Sequence, residues 1–498
     1  MEKSVIIVGA GIAGLSAGCY AALNGFRTII FEQHSVAGGL CAAWKRKGYT
    51  FDISMHMLTG SAGGPFNRMW RELEVIPKFR FHYHDQASQI EGMGHTLKYS
   101  TNREELTAGM MAISPADAKL IREFTDLLFG PDLMNLSSLK APELSTLTDK
   151  VRMLPRILPL IGRFARYGKI SVQDFADRFS HPFLKVAVRF FIDAPGWPMP
   201  GFPMIALSGF MRSGITEAGT PLGGSQKVAL HLAGLFRERG GEIRFSSRIS
   251  DLILEDNRVK GVILDDGSEH RADEVIWAGD GHTLIFDILG GKYMNERIRQ
   301  IYDTWIPVKS IVHVMLGVNL DLSAEPHRIV MQTGEPFTIG NRSYPWITVM
   351  HRCFNPSFAP ERKSVVEVWY DTEYEYWEKL AKDTEAYVAE KNRIAAFSIA
   401  QLEKRWPGFA SKVEVVDVPT PVTYHRYTGN WKGSPDGWYI TTGNAPDMDP
   451  VRELPGLDGL QMIGQWTAPF TGTVMAALTG RQIIQLMCHK ERRKFIPS

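Results

Sequence analysis

At 498 residues, with 44% hydrophobic and 22% charged side chains, the chain is long enough for two connected domains with ample cores. A formal net charge of +2 excludes a global attraction to nucleic acid, so any charge-driven partner must be met by a local patch. The four cysteines, Cys19, Cys41, Cys353 and Cys488, are scattered and form no C-x-x-C pair, which points to a reducing compartment and no structural metal.

Val5 to Val8 reads as a short strand of β-branched type, and Gly9, Gly11 and Gly14 follow as G-x-G-x-x-G where strand should become helix. Gly9 permits the sharp turn, Gly11 lets backbone approach a pyrophosphate, and Gly14 lets the helix pack closely on the strand. Ile12 and Ala13 then fall in a first helical turn whose unpaired N–H groups and positive dipole end suit an anion. Arg27 to Phe31 reads as the next strand and ends on Glu32 and Gln33. The Glu32 carboxylate comes about twenty residues after the turn, the spacing at which an acid accepts ribose hydroxyls. A glycine-rich turn between buried elements, with Glu32 on the surface, is the plainer alternative; strand, spacing and acid together favour a nucleotide. Ser4 to Leu23 carries no charge for twenty residues, long enough for a membrane span or a signal peptide. The glycine spacing and the strand at its start argue against both, so the expectation is a soluble or peripheral protein that keeps its N-terminus.

Gly38, Gly39 and Leu40 follow the acid closely and would set more backbone N–H groups against a long ligand. With Gly48-Tyr49 and Phe51-Asp52 after them, this stretch resembles the second FAD element of the phytoene desaturase family, which includes carotenoid isomerases and retinol saturases within the amine oxidase superfamily. That family commonly continues F-D-x-G, whereas here Ile53-Ser54-Met55-His56 follows, which leaves open the backbone path beside the flavin. His56 is either a hydrogen-bonded structural histidine or a residue near the substrate. His82 and His84 alternate as in a half-exposed strand rather than as metal ligands.

From Asn67 to about Arg212 the chain reads as helical, with prolines marking element ends. Lys150 to Lys169 holds six basic residues and no acidic ones. At helical spacing Ile157, Leu160, Ile161 and Phe164 gather on one face and Arg152, Arg156, Arg163 and Arg166 on the other, which suits either an interfacial helix or a solvated basic face. Pro155 and Pro159 count against one long helix. Phe183 to Met211 is apolar and broken by prolines, as in a core or in the wall of an apolar tunnel.

At Thr220-Pro-Leu-Gly223-Gly224-Ser225 the chain returns to the nucleotide domain and runs on as a helix through Val228, Leu232 and Leu235. Ile243 to Ile249, Leu252 to Leu254 and Val259 to Leu264 read as strands, with Asp265-Asp266-Gly267 as a turn. Glu274 to Ala278 is an apolar strand ending at Gly279. This block resembles the family's P-x-G-G helix, adenine-side strand and β-meander in order, which implies a backbone contact from Ile249 to adenine and places Gly279 at the end of the returning strand. Residues 295 to 450 carry strands such as Ser310 to Leu316 and Val365 to Tyr370, then a long helix from about Asp383 to Arg405. Near the end an apolar strand enters a turn at Gly464 and Trp466, and Gly472, Thr473 and Val474 open a helix of small residues. It resembles the family's C-terminal FAD motif, with a thinner glycine turn, and its N-terminus would stabilise negative charge on the flavin.

These readings predict an α/β fold: a Rossmann-like, glutathione reductase-like FAD domain assembled from residues 1–70, 218–292 and 455–490, and a mixed α+β substrate domain from 71–217 and 293–454, with membrane-associating helices within 150–212. The resemblance implies FAD, an apolar polyene of carotenoid, polyprenoid or retinoid type, and hydride exchange with flavin N5 at a carbon–carbon bond. His56 and Trp466 are the candidate catalytic residues beside the flavin. A cis–trans isomerase using reduced FAD, an amine or amino-acid oxidase of the same superfamily, and a flavin-free prenyl carrier stand as alternatives. The carrier would not need three nucleotide-binding blocks. No second G-x-G-x-x-G occurs, so oxygen, a quinone, a ferredoxin or free nicotinamide all stand open as the electron partner. The expected setting is cytoplasmic, with peripheral contact on the inner face of a membrane and no nucleic-acid partner.

Overall fold

The computed structural model describes residues 3–469 and 472–498. Strand Ser4–Val8, apolar and buried from its second residue onward, is the central strand of a five-stranded, all-parallel sheet. In spatial order the sheet runs Glu242–Arg244, Arg27–Phe31, Ser4–Val8, Glu274–Trp277 and Leu460–Met462. Val8 lies opposite both Phe31 and Trp277, so the carboxyl ends of the three inner strands are level and their loops leave along one edge. In open α/β sheets ligands sit outside that edge. Helix Ile12–Leu23 follows the first strand and is almost wholly buried, packed against helix Thr473–Lys490. Ser16 donates to the Ala477 carbonyl at 2.8 Å, and a Cβ on Gly480 would come within 2.6 Å of the Ala13 oxygen, so the two helices touch backbone to backbone. The uncharged run from Ser4 to Leu23 is thus shared between a strand and a helix. Among the described residues no helix is long and apolar enough to cross a membrane.

The stretch Ile243 to Ile249, expected as one strand, is divided. Glu242–Arg244 joins the parallel sheet, Ser246 turns the chain at φ +51, and Ile249–Glu255 starts a three-stranded antiparallel sheet with Arg258–Leu264 and Glu269–Arg271.

A larger correction concerns residues 67 to 212, expected to be helical. Strands Gln86–Gly92 and His95–Ser100 form a hairpin at one end of a seven-stranded sheet. The remaining strands, moving across the sheet, are Arg328–Ile339, Arg342–His351, Ser364–Thr372, Ser310–Val318 and Val413–Asp417. The hairpin turns at Met93-Gly94, both at positive φ. Two-residue turns of that kind usually announce themselves with Asn or Asp in first place, and Met hides this one. Ser310–Val318 and Ser364–Thr372 are buried at every residue. Val312, Val314, Val366, Val368 and Tyr370 share a core with Ile394 and Leu402 of helix Thr384–Arg405. Alternation puts His313, Glu367 and Trp369 on the opposite face.

The basic stretch forms one helix, Leu147–Tyr167, with both prolines inside it. Pro155 and Pro159 are exposed, so the carbonyls left without an N–H partner remain open to water, which reduces the cost of each break. The expected two-faced arrangement is also altered. Leu160 is buried and Ile157 half-buried, while Arg163 turns inward to the Leu127 and Asp126 carbonyls and the Ser208 hydroxyl. The outward stripe is Leu147, Val151, Leu154, Leu158, Ile161 and Phe164.

Candidate functional site

A cleft of about 1270 Å³ runs from the carboxyl edge of the parallel sheet to the free face of the seven-stranded sheet. At the sheet edge its wall is main chain. Gly9 turns at φ +100, and its N–H donates to the Phe31 carbonyl at 2.8 Å. A Cβ on Gly14 would lie 2.0 Å from the Gly9 oxygen, so Gly14 serves the packing of helix on strand and does not face the cleft. Gly11 does face it, and a Cβ there would meet no protein atom within 4 Å. Gly38 donates to the Ala10 carbonyl at 2.9 Å, which ties the second glycine turn to the first, and Gly38, Gly39 and Leu40 all line the cleft.

Two helices begin at this wall without a side-chain cap: Ile12–Leu23 behind Gly11 and Thr473–Lys490 behind Gly472. Their first N–H groups and dipole ends make one place for an anion and a second for a partial negative charge. Ile12, Ala13, Gln33, Ile249, Gly279, Gly464 and Thr473 also border the cleft, whereas Val474 is buried in the core behind it. Glu32 borders it too, 6% exposed. One of its oxygens accepts from the Ala10 N–H at 2.7 Å and the other from the His34 N–H at 2.8 Å. Burial pushes its pKa up against the pull of those N–H groups. The carboxylate therefore braces the glycine turn, and each oxygen keeps a second lone-pair site for a hydroxyl.

Trp466 lines the cleft and is 4% exposed. Its carbonyl accepts from the Trp438 indole at 3.2 Å, while its own Nε1 is buried with no acceptor among the described residues. An unmatched donor, a glycine whose Cβ would enter open space and two uncapped helix ends are what a bound dinucleotide would complete. The residues fit FAD.

Asp52, from the family-like Phe51-Asp52 pair, accepts from the Ser225 N–H at 2.6 Å and from the Ser225 hydroxyl. It thereby caps helix Ser225–Glu238, whose N-cap Gly224 has no side chain to offer. The glycine missing after it is replaced in an unexpected way: the left-handed residue is Met55, at φ +55, one place beyond Ser54.

At the other wall the cleft is made of side chains. His56 borders it, and both readings of this residue meet there. Its Nδ1 accepts from the Arg352 guanidinium at 2.7 Å, and its ring lies 4.7 Å from that of Trp369. Burial, helped by Arg352, lowers its pKa well below the usual imidazole range, so the ring is neutral with its proton on Nε2. Arg352 is 2% exposed and grips Glu367 through Nε at 2.8 Å and Nη2 at 3.2 Å. Although burial works the other way, Arg352 and His313 hold the Glu367 carboxyl below its ordinary range. His313 Nε2 sits between a Glu367 oxygen at 3.2 Å and the Trp369 indole, and its Nδ1 meets the Tyr424 hydroxyl at 3.2 Å. Between the two walls the lining is Phe191, Trp197, Met199, Phe202 and Phe210.

Arg352, Glu367, His313 and Trp369 escape the sequence reading. A signal was present: Glu367 and His313 interrupt otherwise apolar strands, VVEVWY and SIVHVML. His82 lies in the short, half-buried strand Phe81–His82, its ring stacked on Phe354 at 4.8 Å, and the half-buried His84 beyond that strand borders the cleft.

Residues 7–73 match a family of NAD(P)-binding Rossmann-like domains. Along most of its length the chain is similar to a chloroplastic prolycopene isomerase of Arabidopsis thaliana, 25% identical over 95% of this chain and 81% of that protein. It is also similar to a lycopene-forming phytoene desaturase of Pseudescherichia vulneris, 25% identical over 66% of each. Among solved structures an oxidoreductase from Methanosarcina mazei shares the fold, with a TM-score of 0.62 at 17% identity over 97% of this chain and 100% of the other. These relatives are of the kind that the glycine motifs resemble.

Proposed function

We propose that the chain is an FAD-dependent oxidoreductase acting on a carbon–carbon bond of an extended apolar polyene. One observation carries this reading: a single cleft joins the glycine-built dinucleotide wall to an aromatic, apolar lane. Gly9, Gly11 and the first turn of Ile12–Leu23 would hold the pyrophosphate, Glu32 the ribose, the Ile249 backbone the adenine, and the Gly472-Thr473 helix end the flavin ring. Bound there, FAD supplies hydride exchange at its N5. The chain's own residues position and enclose. Phe191, Trp197, Met199 and Phe202 line the lane for a hydrocarbon and leave few polar groups to retain water near the reacting carbons. Arg352 fixes the ring of His56, and Trp369 limits where that ring can turn. Such chemistry asks mainly for placement.

Residues 1–70, 218–292 and 455–490 form the cofactor half in this reading and the intervening segments the substrate half. The outward stripe from Leu147 to Phe164, beside Arg152 and Arg156, is the face that would rest on an anionic membrane and take up an apolar substrate. An isomerase working on the same substrates is the second reading, favoured by the prolycopene isomerase likeness.

The test is an anaerobic absorption spectrum of the purified protein before and after adding a polyene in liposomes, with product analysis. Flavin bands that bleach, with a desaturated product, would support the oxidoreductase. No bleaching, with a cis–trans isomer formed once the flavin has been reduced with dithionite, would favour the second reading. Purified protein that neither carries nor takes up flavin would sink both.

A further inference from the structure

The cleft has a charged corner that the hydride chemistry does not use. Arg328 begins strand Arg328–Ile339 and borders the cleft. Its Nε is shut off from solvent with no hydrogen-bond partner, and among the described residues no carboxylate pairs with it. The arginines around it are answered: Arg352 by Glu367, and Arg405 by Glu91 and Glu325. Beside it the rings of His84 and His327 stack 3.5 Å apart, 13° from parallel, with Phe354 edge-on to His84 at 4.7 Å. His84, His327 and Phe354 all border the cleft. Burial holds both imidazoles neutral, so they neither repel Arg328 strongly nor balance it.

Arg328 is half-buried; a guanidinium with its Nε shut off from water and no counter-ion is costly to keep in a fold, and an incoming anion reduces that cost. Its planar fork matches a carboxylate, to which it donates two parallel hydrogen bonds. The apolar lane beside this corner favours an anion that carries a hydrocarbon chain over a small, strongly hydrated one. We propose that this corner binds the carboxylate end of an apolar-chain substrate or product, with Arg328 as its counter-ion and the His84–His327 stack as its flank. The inference rests on the polyene reading and narrows it: the molecule is an amphiphile, held by one charged end while its hydrocarbon lies along the aromatic lane.

The test uses the flavin-loaded full chain and two probes of equal length, all-trans-retinoic acid and all-trans-retinol, titrated by quenching of tryptophan fluorescence. Wild type is expected to bind the acid about tenfold or more tightly than the alcohol. Arg328→Met should lose that preference and Arg328→Lys should keep most of it. Equal affinities in wild type, or a preference that survives in Arg328→Met, would overturn the proposal. The wild-type comparison decides the matter even if a variant folds poorly. The two readings fail separately. Turnover of a hydrocarbon polyene without acid preference removes the carboxylate corner alone, whereas acid preference in a protein that never turns over a polyene keeps the corner and removes the oxidoreductase reading.

Discussion

Along the edge of the parallel sheet the cleft is walled by main chain: two tied glycine turns, two helix ends and a single carboxylate that braces them. Across the cleft, on the seven-stranded sheet, the wall is a set of long side chains locked together, Arg352 to Glu367, Glu367 to His313, His313 to Tyr424, and Arg352 to His56. The first wall has its shape before any ligand arrives and depends on what is absent from it. The second depends on every partner being present. Substitutions in the two walls should therefore fail in different ways.

The largest expected effect is in the side-chain wall. Arg352→Met leaves Glu367, which is fully buried, with only His313 beside it, and should cost about 3–5 kcal/mol in urea unfolding. Arg352→Met combined with Glu367→Leu should recover most of that loss, because no charge is then left without a partner. A loss below about 1 kcal/mol for the single variant would show that the pair is not what holds this wall. Gly11→Ala should do the reverse. Its Cβ meets no protein atom within 4 Å, so stability without cofactor should stay within about 0.5 kcal/mol of wild type. Flavin affinity, read by equilibrium dialysis, should fall about tenfold or more, since the methyl group enters the ligand's space. Unchanged affinity would mean that the ligand does not approach Gly11. The smallest effect is on pH dependence. Burial, with His82 and Arg352 nearby, pushes the His84 pKa down to about 3. The unfolded chain takes up that proton near pH 6.5 and the folded ring does not, so stability should fall as pH drops from about 6.5 toward 3. His84→Phe should make the fall in Tm shallower without abolishing it, because His56 and His327 are held down in the same way.

The same contrast explains what was legible in the sequence. Gly9, Gly11, Gly14 and Glu32 lie within one strand–turn–helix–strand unit, so their spacing alone announces the turn, and the α/β fold follows from it. The side-chain wall draws on His313 and Glu367, which meet through sheet register, His313 opposite Trp369 and Met350 opposite Glu367, and on Arg352 and His56, which reach it from just beyond a strand end and from a distant loop. No local pattern encodes such a meeting. The hairpin at Met93-Gly94 was hidden because its strand Gln86–Gly92 pairs with Arg328–Ile339, far along the chain, and tertiary pairing outweighs local propensity. Arg163 likewise follows carbonyls offered by the last turn of helix Ala118–Leu128 rather than the helical wheel.

The strand order of the parallel sheet also sets a timetable for synthesis. Ser4–Val8 is central, yet on one side it pairs with Glu274–Trp277, which in turn pairs with Leu460–Met462, and the buried helix Ile12–Leu23 waits for Thr473–Lys490. On the ribosome the nucleotide motif is translated long before Thr473–Lys490, the helix that covers it. Until then its apolar helix is a surface for chaperones or for aggregation. The cleft is complete only once Gly472 and Thr473 have been made, so a chain cut short before that helix keeps every early motif and lacks one wall of the site.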